Sequence, residues 1–168
     1  ELSFWFTQLW AESLGKQYNL EGEIKNLGFT PLPAFGVTDQ HSQVQLFVEG
    51  PKDKCALILE VENFEHDYSL ASDLGNPATQ KLAPFNLSQL LQGEMKGTLQ
   101  ALKEKDRPYA KITLNRRDAD NLAGIILFFE SLTVLMGQLL NLNPFDQPGV
   151  EAGKRYAFEW LRGENASQ

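Results

Sequence analysis

One cysteine, two histidines and two methionines are all the sulfur and imidazole that this 168-residue chain offers. Cys55 alone cannot close an internal disulfide, and no paired-cysteine zinc or redox motif can be written. A reducing, cytoplasmic setting is the expectation. Basic residues are also scarce: 15 Lys and Arg stand against 22 Asp and Glu, for a net charge of −7. No basic stripe exists, which argues against nucleic acid as a partner. No apolar run reaches the roughly 20 residues that span a bilayer. Residues 123–140 come nearest, are interrupted by Glu130, Ser131 and Gln138, and read as a buried amphipathic helix. A signal-peptide pattern, a Walker loop, a Gly-X-Ser-X-Gly elbow, internal repeats and low-complexity tracts are all missing. Glu60, Glu62 and Glu65 lack the spacing of a metal site, so the reading calls for no metal and no cofactor.

What is present suits a globular fold, with 42% hydrophobic and 22% charged residues. The length fits one domain over 1–168 with a sizeable core. The chain opens at Glu1, without methionine and already inside a helical pattern, which suggests a fragment or a processed chain.

The spacing of Phe6, Leu9, Trp10 and Leu14 predicts a helix over 2–14, with Gly15 as its stop. Residues 20–28 read as loop-like or weakly helical, and 29–36, with two prolines, as a short strand running into a loop. Thr38 or Asp39 caps a helix to about Val48. Residues 54–63 (KCALILEVEN) form the clearest strand, apolar enough to be covered on both faces of a parallel sheet. Residues 64–84 are polar, turn-rich and expected to be mobile. A helix over 87–105 with Ser88 as cap, a strand over 108–114, helices over 117–142 and 150–162, and a frayed tail over 163–168 complete the reading. Strands alternating with helices predict an α/β three-layer sandwich, a mostly parallel sheet flanked by helices. Ligands of such folds gather at strand carboxyl ends and helix N-termini.

The densest signal is GQLLNLNPFDQPGVEAGK, residues 137–154. A helix ends, an Asn-Pro-Phe-Asp-Gln-Pro-Gly turn follows, and a new helix begins. Pro148 suits a first helical turn, Asp146 and Gln147 stand where a cap is wanted, and Glu151 complements the dipole. Lys154 fits less well, because a cation near a helix N-terminus is mildly disfavoured. A local conflict of this kind points towards function.

This stretch resembles the C-terminal signature of the glucose-6-phosphate isomerase (phosphoglucose isomerase) family: Gly, an apolar run, an aromatic, Asp-Gln, then Gly-Val-Glu and Lys. Residues 8–16 (QLWAESLGK) resemble that family's helix ending in its catalytic glutamate. Residues 36–41 (GVTDQH) resemble its loop-to-helix turn ending in Gln-His. The resemblance implies a sugar-isomerase (SIS) domain and no cofactor. It makes Glu12 the base that moves a proton between carbons 1 and 2 of the open-chain sugar, and His41 the acid/base that opens the ring. Lys154 would assist ring opening or charge stabilisation, with Gln8 a substrate contact and Gln147 a contact on the phosphate side. The substrates implied are glucose 6-phosphate and fructose 6-phosphate.

The resemblance covers only the C-terminal part of that family. The other signature, Gly-Gly-Arg with an aromatic and Ser, is absent, as are the Ser/Thr-rich phosphate loop and the arginine that stabilises the enediolate. The implied partners are therefore an N-terminal part of the same enzyme and a second subunit, since the family's site forms between two subunits with the histidine donated by the neighbour. The chain alone is expected to be weakly active or inactive.

The chemistry accounts for the residue types. Aldose–ketose isomerisation needs a base beside a carbonyl, a near-neutral acid/base to open the ring, and a cation near the enediolate charge. Blander readings compete: a helix glutamate is usually solvated, and His41 near a helix start has backbone to bond. His66 matches no motif and is left structural. Phe4, Trp5, Phe6 and Trp10 read as core or interface, and Arg116-Arg117 as a helix-flanking pair. The competing class is a non-catalytic sugar-phosphate-binding SIS module, which has no reason to keep Glu12, His41, Gln147 and Lys154 together.

Overall fold

The computed structural model describes residues 1–71 and 75–163, with the backbone alone at Ala78. The chain divides into two compact units, one of Glu1–Pro33 with Ile125–Gln168 and one of Ala34–Gly124.

The first unit opens with α1 (Leu2–Leu14), which ends at Gly15 as its apolar spacing requires. A ribbon of β1 (Lys16–Tyr18) and antiparallel β2 (Ile24–Leu27) follows. Its turn is held by Asn19, whose Oδ1 accepts from Glu23 N at 2.8 Å, and by Gly22 at φ +79°. The loop expected over 20–28 thus contains a strand. Its residues are almost wholly exposed, so no alternation of burial marked it in the sequence.

Residues Ile125 onward of α6 (Ala119–Leu139) and all of α7 (Gly149–Leu161) belong to the same unit. The core is a stripe of α6 spaced by four, Ile125, Phe129, Thr133 and Gly137, all buried. Phe6 stacks on Phe129 with centroids 4.3 Å apart and leans on Trp10 at 5.3 Å. Leu14 and Leu142, at 0% and 1% exposure, are buried outright and contribute about 1.5–3 kcal/mol each. Of the aromatic cluster, Phe6 is half-buried and packs on this core, while Phe4 is exposed.

α6 is long and apolar enough to cross a membrane by length and composition. It was expected to be buried, yet only that stripe is: Leu127, Phe128, Leu135 and Leu139 are exposed. No residue of α7 is buried, and Tyr156, Phe158, Trp160 and Leu161 face solvent.

The second unit carries α2 (Thr38–Ser42), α3 (Val44–Glu49), β3 (Ala56–Asn63), α4 (Pro77–Gln80), α5 (Leu87–Glu104), β4 (Tyr109–Arg116) and the start of α6. β3 and β4 run parallel in unbroken register from Ala56 opposite Tyr109 to Asn63 opposite Arg116. The helix-linked parallel pair is the α/β arrangement that the element order called for. Leu57 and Leu59 remain exposed, so one face of β3 is open where burial on both was expected.

Several local expectations change. Among the described residues, 29–36 hold no strand, as Pro31 and Pro33 would suggest. The helix expected over 38–48 breaks at Gln43 into α2 and α3. α5 is capped by Asn86, not Ser88: Asn86 N donates to Gln89 Oε1 at 2.9 Å, while Ser88 turns to Asp67. Cys55 is exposed just ahead of β3. Of the stretch expected to be mobile, 72–74 lie outside the described residues; α4 lies within it, and Ser69, also within it, bridges to Asn86 just beyond it. Most of the tail expected to fray, 164–168, also lies outside them.

Candidate functional site

Gln8 and Glu12 share one face of α1 because four residues make one helical turn. Gln8 Nε2 donates to Glu12 Oε1 at 3.1 Å, with Glu12 half-buried and Gln8 exposed. Glu12 stands in the last turn of α1, whose final carbonyls have no intrahelical partner. One of these, Glu12 O, accepts from the ammonium of Lys16 at 3.0 Å.

The turn at 140–149 is built from its own side chains. Asn141 adopts φ +58°, a left-handed conformation that Asn tolerates, and Leu142 N donates to Gly137 O at 2.8 Å to close α6. Pro144 lies directly over Gly137: a Cβ there would meet the ring at 3.0 Å. The signature glycine thus leaves room for the Pro144 ring. Asn143 Oδ1 accepts from Phe145 N at 3.1 Å, and its Nδ2 donates to Asp146 Oδ2 at 2.9 Å.

Asp146 does not cap α7, contrary to expectation. Pro148 occupies the N-cap, no side chain caps the helix, and the Asp146 carboxylate instead pairs with Lys16 at 3.1 Å. Gln147 follows, exposed. Lys154 is exposed on α7 and ion-paired with Glu151 at 2.8 Å, as their spacing on one helix allows.

His41 belongs to the second unit, exposed in the last turn of α2. Before it, Asp39 accepts from Phe35 N at 2.7 Å and from Ser42 Oγ at 2.9 Å. The backbone bond from Phe35, followed by that from Ser42, holds the Asp39 carboxyl below its usual range. Gln40 donates to Thr98 Oγ1 at 2.7 Å, anchoring α2 to α5 beside His41. Its Oε1 is buried without a partner among the described residues.

Four of the five predicted site residues, Gln8, Glu12, Gln147 and Lys154, thus fall in the first unit and His41 in the second. Gln8 and Glu12 touch each other, and Lys16 ties the Glu12 backbone to the residue before Gln147. Sequence reasoning gave Lys16 and Asp146 no such role, because their pairing joins positions far apart in the chain. Among the described residues, no group of three or more His, Cys, Asp or Glu could hold a metal ion.

This architecture of parallel strands and linking helices is shared with solved proteins. A hypothetical protein of Thermus thermophilus superposes with a TM-score of 0.88 at 36% identity, over 95% of this chain and 38% of that one. A glucose-6-phosphate isomerase of Chlamydia trachomatis has the same fold, with a TM-score of 0.77 at 20% identity over 99% of this chain and 33% of that one. The family profile of phosphoglucose isomerase matches residues 1–167, and the chain belongs to that family. Relatives include a glucose-6-phosphate isomerase of Rubrobacter xylanophilus, 42% identical over 94% of this chain and 35% of the relative. One of Carboxydothermus hydrogenoformans is 40% identical over 95% and 35%. A probable glucose-6-phosphate isomerase of Methanococcus maripaludis is 38% identical over 95% and 34%. The chain spans about a third of the length of these relatives.

Proposed function

We propose that this chain is the C-terminal SIS portion, 1–168, of an enzyme that interconverts glucose 6-phosphate and fructose 6-phosphate. The observation that carries the reading is the family match across residues 1–167, with Glu12 and Gln8 standing one helical turn apart on α1. His41 protonates and deprotonates the ring oxygen and the anomeric hydroxyl to open the sugar. Glu12 takes the proton from carbon 2 of the aldose, leaving an enediol(ate), and returns it to carbon 1 while a hydroxyl proton passes from oxygen 2 to oxygen 1, giving the ketose. Lys154 supplies positive charge near the reacting oxygens, an electrostatic contribution suited to a developing oxyanion. Gln147 contacts the phosphate side and Gln8 the sugar. No cofactor and no metal enters this scheme.

This reading still needs a phosphate grip and an arginine for the enediolate, which it assigns to an N-terminal part of the same enzyme. The exposed apolar faces of α6 (Leu127, Leu135, Leu139) and of α7 (Tyr156, Trp160, Leu161) suit burial against that part or a second subunit. A homodimeric parent, placed in the cytoplasm and in glycolysis and gluconeogenesis, without nucleic-acid or membrane partners, completes the proposal.

The test is isomerisation of fructose 6-phosphate by this chain with and without the N-terminal part of the enzyme. Activity only on complementation is expected. Activity by the chain alone would mean that it holds its own phosphate grip. Silence with the two parts associated would favour the other reading, a non-catalytic sugar-phosphate-binding module.

A further inference from the structure

Lys16 is a lysine with its side chain 5% exposed. Burying an ammonium costs several kcal/mol unless each of its three donors finds an acceptor. Here the acceptors are Glu12 O at 3.0 Å, Asp146 Oδ1 at 3.1 Å and the Asp146 carbonyl. All lie in the first unit. One acceptor is the backbone of the proposed base, and the other two belong to the residue immediately before Gln147. A single buried charge therefore fixes the end of α1 against a turn about 130 residues further along the chain.

The surroundings make this a rigid brace. Gly15 N donates to Ala11 O at 3.0 Å, closing α1 one residue before Lys16. On the far side, Asp146 is held by Asn143. Neither Glu12 nor Gln147 has a side-chain bond that would set their spacing without Lys16 among the described residues.

We propose that Lys16 is a positioning residue, which with Asp146 sets the spacing between Glu12 and Gln147 and hence between the base and the phosphate contact. The inference rests on the function proposed above. A misplacement of about 1 Å in a catalytic group can cost on the order of 100-fold in rate.

The test uses the complete isomerase chain carrying this sequence. Lys16→Met is expected to lower kcat by about 10- to 100-fold and to raise KM for fructose 6-phosphate, because both ends of the brace loosen. In a Glu12→Gln background, Lys16→Met should lower kcat little further, because its effect on turnover acts through Glu12. Asp146→Asn, which keeps the carbonyl acceptor, is expected to lower kcat less than Lys16→Met. It carries the test where Lys16→Met does not fold. A folded Lys16→Met or Asp146→Asn enzyme with wild-type kcat and KM and only a lower melting temperature would overturn the proposal, leaving a structural ion pair. A wild-type enzyme without isomerase activity, or a Glu12→Gln enzyme with full turnover, would instead defeat the functional reading itself.

Discussion

Gln8 donates from Nε2 to Oε1 of Glu12, 3.1 Å away across one turn of α1. This leaves Oε2 as the carboxylate oxygen without a hydrogen bond among the described residues. Two substitutions follow from that division. Glu12→Gln keeps the shape and removes the proposed base, so kcat in the complete enzyme should fall by about 10²- to 10⁴-fold with KM little altered. Gln8→Leu removes the bond to Glu12 and the proposed sugar contact but leaves the carboxylate, and should cost about tenfold. Steady-state kinetics of the two variants side by side decide the matter. Equal losses in kcat would mean that the Glu12 carboxylate matters no more than its Gln8 partner and would count against Glu12 as the base.

Pro144 packs on the bare backbone of Gly137, and a methyl group there would overlap its ring at 3.0 Å. Alanine elsewhere in a helix gains up to about 1 kcal/mol over glycine. At this buried position the overlap should outweigh that gain, for a net loss of about 1–2 kcal/mol. Thermal unfolding of Gly137→Ala should show a melting temperature several degrees lower. An unchanged or higher value would mean that the turn yields freely.

Arg107 Nε donates to Val48 O at 2.9 Å and Nη2 to Gly50 O at 2.6 Å, satisfying carbonyls at the end of α3 from a loop after α5. Arg107→Met keeps much of the stem packing and removes both charged donors. It should destabilise the protein by about 1–3 kcal/mol, read as a lower urea midpoint with an unchanged slope.

Much of this architecture was legible in the sequence where a local rule decides it. The apolar spacing from Phe6 to Leu14 and the glycine after it specify α1, and the apolar run from Ala56 gives β3. β2 was not legible, since Ile24 is exposed and its pairing with β1 rests on backbone bonds and a glycine turn. The partners of Asp146 show the same limit. As a neighbour of Pro148 it reads as a cap, but its charge is claimed by Lys16, a contact between ends of the chain that no local pattern encodes. The candidate site residues were named only through motif spacing. Nothing in local chemistry separates Glu12 from any other helix glutamate, and only the fold puts Lys16 beneath it.

Glu60 reaches across the parallel pair to Lys111, with Oε2 2.7 Å from Nζ and 3.1 Å from Thr113 Oγ1. The bond from Lys111, aided by that from Thr113, holds the Glu60 carboxyl below its ordinary value of 4.5. A carboxyl depressed in the folded state stabilises the fold above its unfolded value, and that contribution is lost as pH falls through the lower, folded value. Urea unfolding at pH 7 should therefore show Glu60→Gln less stable than wild type by about 1 kcal/mol. As pH falls below the ordinary value of 4.5 the gap should narrow, because the unfolded chain takes up a proton that the folded carboxylate resists. A gap that stays the same size as pH falls would mean that the substitution acts through packing in β3 and that the Lys111 pair contributes nothing.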